Sequence, residues 1–172
     1  MLADLVKGFV QGVGGPVVTA AHVLGLLGLG LAFARQPKSV LPFGMFALAL
    51  AAGLGALAVA VGATPARNVV LVCAALSGIS VASAITLPPF AVGLLAAAMG
   101  LALGLDSPPE TISIAVGNAM LAGTWVGACL LLAAVTTVAM RLAGTWQQIG
   151  LRVLGSWIAA SAILSLALRV LR

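Results

Sequence analysis

Charge is what this sequence has least of. Only 6% of its 172 residues are charged, three of them acidic, and histidine occurs once. A folded domain with so few polar groups could not cover its own surface in water, which excludes a soluble globule. The eight basic residues sit at predicted helix ends or in loops, with no aromatic and basic stripe among them, so a nucleic-acid groove is excluded as well. Cys73 and Cys129 fall in separate apolar runs without a C-x-x-C spacing and read as buried packing thiols. Neither G-x-S-x-G, nor H-E-x-x-H, nor a phosphate-binding loop occurs, and the chain is not expected to be an enzyme.

What is present is apolar: 63% hydrophobic residues and a mean hydropathy of +1.27. A bilayer solvates such side chains, and helices satisfy their own backbone hydrogen bonds there. The expected fold class is therefore all-α, a polytopic transmembrane bundle forming a single membrane domain over residues 1–172. A spanning helix needs about 20 mostly apolar residues. Six segments qualify: Pro16–Ala34, Val40–Gly62, Ala66–Thr86, Pro88–Leu105, Ile112–Met140 and Ile149–Leu171. The breaks RQPKS, ATPAR, TLPP and DSPPE place proline where it ends one helix and opens the next. RLAGTWQQ supplies the fifth break with polar residues and glycine. Residues 1–15 lack the pattern of a cleaved signal peptide and are expected to form a short interfacial helix ended by Gly14, Gly15 and Pro16.

Short connections make neighbouring spans antiparallel, so both termini, ATPAR and DSPPE share one face of the bilayer. RQPKS, TLPP and RLAGTWQQ occupy the other, and the loop charges make that other face cytoplasmic. The expected location is a bacterial inner membrane with periplasmic termini. Gly8/Gly12, Gly100/Gly104 and Gly123/Gly127 have the spacing of close helix packing, and Ser77, Ser80 and Ser83 form a small polar stripe. Trp146 suits the interfacial belt, while Trp125 and Trp157 are expected to face lipid or a neighbouring subunit.

Ionisable groups inside a membrane are costly and are functional candidates by default. His22 alone lies clearly within a predicted span. Asn118 enters the fifth span from the same side at nearly the same depth, and Thr19 lies one turn above His22. Asp106 and Glu110 stand in the loop at that face. Together they describe a vestibule with carboxylates at the mouth and imidazole and amide below, a donor set for nickel, cobalt or zinc. The same residues admit a plainer role: His22 bonding Asn118 between helices, and the two acids capping the fifth span.

The layout resembles the HupE/UreJ family of small membrane proteins, accessory to hydrogenase and urease systems and associated with nickel import. The family segment is close to G-F-x-H-G-x-x-H-P-x-x-G-x-D-H-L-L-A. In register with it stand Gly8, Phe9, Gly12, Pro16, His22 and Leu24. Gln11 and Gly15 replace family histidines, and Ala21 replaces the aspartate before His22. The family's stretch similar to H-G-H-A-H-G-A-E is Leu103–Glu110 here, keeping only the final acid. Losing several imidazoles removes much of a metal's binding energy. The metal candidates are His22, Asp106, Glu110 and Asn118, with Gln11 and Thr19 lining the pocket. The resemblance implies a small-cation permease or metal-handling accessory with no resident cofactor. A non-transporting structural or assembly subunit is the alternative. Expected partners are the lipid bilayer and a homo-oligomer or larger membrane complex, without nucleic acid.

Overall fold

A computed structural model describes residues 1–36, 41–58, 66–109, 111, 113–142 and 144–171. Seven helices appear among them: α1 (Leu2–Val18), α2 (Ala20–Ala34), α3 (Leu41–Ala58), α4 (Ala66–Ala82), α5 (Pro89–Leu105), α6 (Ile114–Arg141) and α7 (Thr145–Val170). No strand occurs among the described residues. Helices α6 and α7 are long and apolar enough to cross a membrane, and α1 with α2 qualifies as a third crossing if the bent pair is one span. Helices α3, α4 and α5 are shorter apolar helices, so length alone does not give the six spans expected from the sequence.

The N-terminal segment departs most from expectation. Helix α1 does not end at Gly14–Pro16 but continues to Val18, and the chain turns by 75° at Thr19, whose backbone is extended (φ −90°, ψ 114°). Proline disfavours helical backbone in the residue before it through a clash with that residue's Cβ. That residue is Gly15, which has no Cβ, so the helix carries on. Nor does α1 stand alone as an interfacial helix. Gly8, Gly12 and Pro16 are buried, and a Cβ on Gly12 would run into the Met120 backbone of α6. Conversely, Cβ atoms on Gly123 and Gly127 would meet the backbones of Phe9 and Val13.

Close approaches fix the helix directions. Gly8 lies against Val116, Gly12 against Met120 and Gly30 against Val135, so α1 and then α2 run the same way as α6. Gly25 faces Val70 and Gly28 faces Ala74 and Ser77, which makes α4 parallel to α2. Gly100 meets Phe46 and Gly104 meets Leu50, so α3 and α5 are parallel to each other. Arg152 bonds the Ala82 carbonyl and Arg169 bonds Asn68, so α7 is antiparallel to α4. Trp125 Nε1 donates to the Ala47 carbonyl (2.9 Å), while Asn118 and Leu54 line one cavity, which sets α3 antiparallel to α6. The result is an alternating bundle with the broken pair α1–α2 as its first member.

Helix α2 is the hub, packing on α4, α6 and α7. Its Leu26 and Leu29 are fully buried with Phe46, Leu50, Met99, Leu103 and Leu132. Of the predicted serine stripe, Ser77 and Ser80 are buried and bond back to carbonyls of α4, while Ser83 is exposed beyond its end. Trp125 is thus tied to α3 by its ring nitrogen though still 39% exposed, whereas Trp146 and Trp157 are largely exposed.

Candidate functional site

Three helix termini converge where α2 and α4 begin and α5 ends. The first turn of α2 supplies His22, the first turn of α4 supplies Arg67, and Asp106 closes the C-terminus of α5. Asp106 occupies an unfavourable position for its own helix, since the C-terminal end of a helix dipole repels negative charge. Its compensation comes from the neighbours. Asp106 Oδ2 lies 3.0 Å from His22 Nε2 and accepts from Arg67 Nε at 2.9 Å. His22 is 3% exposed, Asp106 13% and Arg67 43%. One carboxylate oxygen therefore holds a buried imidazole on one side and a partly exposed guanidinium on the other.

The other imidazole nitrogen is the anomaly. His22 Nδ1 is buried and has no hydrogen-bond partner among the described residues. In the tautomer that donates from Nε2 to Asp106, Nδ1 keeps an unused lone pair. A buried polar atom without a partner costs about 1–3 kcal/mol, so its retention calls for a reason beyond packing. Imidazoles that bind metals commonly give their second N–H to a carboxylate, which fixes the ring and raises its basicity. His22 and Asp106 have that relation.

A cavity of about 310 Å³ runs beside this group, from the Ser107–Pro109 turn down to Thr124. His22, Asp106, Arg67, Gln11 and Thr19 line it. The extended backbone at Thr19 thus borders open space, which is where irregular backbone is tolerated inside a bundle. Of the residues singled out from sequence, His22, Asp106, Thr19 and Gln11 come together. Asn118 does not: it lines a separate cavity of about 330 Å³ with Leu54, Gly55 and Trp125. Matching its depth to His22 ignored rotation about the helix axis. Asn118 shares a face with Leu121, Ala122 and Trp125, three, four and seven positions on, and that face looks at α3. Glu110 lies outside the described residues. Among the described residues no three His, Cys, Asp or Glu side chains gather as a metal centre.

Arg67 was missed by the sequence reading, which counted it only as a topological charge. A signal was available, because ATPAR and DSPPE were placed on the same face. Compared with protein-family models, curated proteins and solved structures, the chain matches none.

Proposed function

We propose that this chain is a six-span inner-membrane protein that admits a small cation of the nickel or cobalt type to the His22–Asp106 cavity, as a permease or metal-handling accessory similar to the HupE/UreJ family. The observation that carries the reading is the buried imidazole with one nitrogen held by a carboxylate and the other unpartnered. Borderline divalent cations bind imidazole nitrogen, and a carboxylate on the ring's second nitrogen orients it and raises its basicity. The cavity adds neutral oxygen donors from Gln11, Thr19 and Thr124. One imidazole with neutral oxygens makes a weak site, and weakness suits passage: an ion that is to leave must not be held as in a structural metal centre. The break between α1 and α2 supports the same reading, since interrupted spans put helix termini and free backbone beside a transported solute.

In the proposed orientation the ends carrying Arg35, Arg141 and Arg152 face the cytoplasm and the cavity faces the periplasm, with the termini. Loading of Ni²⁺ into proteoliposomes tests the proposal. Uptake is expected to exceed that of protein-free vesicles and to fall about tenfold or more in His22→Ala and Asp106→Asn, as losses of a ligand or its orienting partner do. Uptake no faster than the protein-free control would overturn it.

One observation favours the second reading, a non-transporting structural or assembly subunit. By holding both His22 and Arg67, Asp106 fastens α2, α4 and α5 to each other. Absence of uptake together with recovery in a stoichiometric larger membrane complex would select that reading.

A further inference from the structure

We infer that a second cavity, lined by Arg67 and Arg169, holds the phosphate group of an anionic phospholipid. Thr19 and Arg67 border both this cavity and that of His22, but the inference does not depend on cation binding. The cavity measures about 260 Å³ and lies between the first turns of α2 and α4 and the end of α7. Arg67 is the second residue of α4 and Arg169 the last but one of α7. Antiparallel packing of those helices therefore brings both guanidiniums to one end of the bundle. Arg67 donates its Nε–H to Asp106 at 2.9 Å, and Arg169 donates its own to Asn68 Oδ1 at 3.0 Å. No described residue accepts from the Nη groups of either.

Holding two like charges on one cavity is costly. Arg169 is exposed and free to extend away, yet Asn68, the residue after Arg67, pins it there. The Asn68 amide is neutral and no described carboxylate pairs with Arg169, so its charge stays uncompensated. Asp106 offsets only the charge of Arg67. An anion between the two guanidiniums turns repulsion into attraction, and each fork of N–H groups matches a pair of phosphate oxygens. The start of α2, which has no side-chain cap, adds partial positive charge. Polarity then falls with depth: one turn further into α2 and α4, Leu24 and Leu71 form the inner wall. A phospholipid has the same order, phosphate above hydrocarbon, whereas a free phosphate ion gains nothing from leucine. Basic pockets between membrane helices hold anionic headgroups in this way. A zwitterionic headgroup would bring a cation of its own towards the arginines.

The test is native mass spectrometry of the full chain from detergent micelles carrying equal amounts of phosphatidylglycerol and phosphatidylcholine. The parent is expected to retain phosphatidylglycerol in preference to phosphatidylcholine. Arg169→Gln should weaken that retention about tenfold or more, the loss of hydrogen bonds between charged groups. Arg169→Lys, which keeps the charge, should retain more lipid than the glutamine variant. Arg152→Gln, at the opposite end of the bundle, should retain it as the parent does. Equal retention of the two lipids by the parent, or undiminished retention by Arg169→Gln, would overturn the inference. So would an equal loss in Arg152→Gln, which would mean attraction to surface charge in general. An excess of inorganic phosphate should leave the lipid in place, and displacement by it would overturn the lipid as occupant. Should Arg169→Gln not fold, the parent's choice between the two lipids and its response to phosphate still decide. None of these readouts involves Ni²⁺, so the cation reading stands or falls separately.

Discussion

At the scale of single residues, the decisive group is Asp106, because two neighbours depend on one of its oxygens. Asp106→Asn removes the charge while keeping the size. The buried His22 then loses its anionic partner, whereas Arg67, partly exposed, can turn to water. The expected cost is about 1.5–3 kcal/mol, the range for a hydrogen bond to a charged group. A fall in the thermal unfolding midpoint in detergent checks it, with an unchanged midpoint counting against the pairing. A second residue prediction concerns Ala84, whose φ of 56° puts a side chain in the left-handed region. It ends α4 as a Schellman cap, with Ile85 N–H donating to the Ser80 carbonyl and Ala84 N–H to that of Val81. Glycine adopts that backbone without the Cβ penalty, so Ala84→Gly should stabilise by about 1 kcal/mol. Of the site, His22 and Asp106 were legible because each is rare and each falls in a marked segment. Asn118 was misread because depth along a helix says nothing about which way a side chain faces.

At the scale of helices, glycines govern how close axes come. The predicted pairs Gly8/Gly12, Gly100/Gly104 and Gly123/Gly127 all lie at contacts where an added Cβ would meet a neighbouring helix. Gly12→Ala and Gly123→Ala should each force α1 away from α6 and cost about 1–3 kcal/mol, as overpacking does. Gly14 is the control, since a Cβ there meets nothing within 4 Å. Gly14→Ala should be neutral or stabilising by about 0.5–1 kcal/mol, because alanine is the better helix former. Equal losses at Gly12 and Gly14 would contradict the packing of α1 on α6. The sequence reading took the spacing as close packing but put α1 on the membrane surface. Its partner, α6, is more than a hundred positions away in the chain, and no local pattern names it.

At the scale of the whole molecule, alternation of the helix axes puts Ser107 and Arg169 at one end of the bundle and Arg35 and Arg152 at the other. Arg35 donates to the Val81 carbonyl and Arg152 to that of Ala82, two cations on the C-terminal end of α4. In a cysteine-free background, Ser107→Cys and Arg152→Cys should be labelled by a membrane-impermeant maleimide from opposite faces. The proposed orientation puts Ser107→Cys on the periplasmic side. Labelling of both from one face would break the alternating order.

The sequence by itself determined that this chain is helical and suited to a bilayer, since a 63% hydrophobic composition leaves no other solvent for its surface. It also marked its breaks, because proline and glycine act on the backbone locally. Only the tertiary structure decided that α1 joins α2 as a broken pair, and that Arg67 meets Asp106 across 39 positions. Those outcomes depend on which helix faces abut. Face pairing follows from packing between distant segments, which hydropathy, averaged along the chain, does not encode.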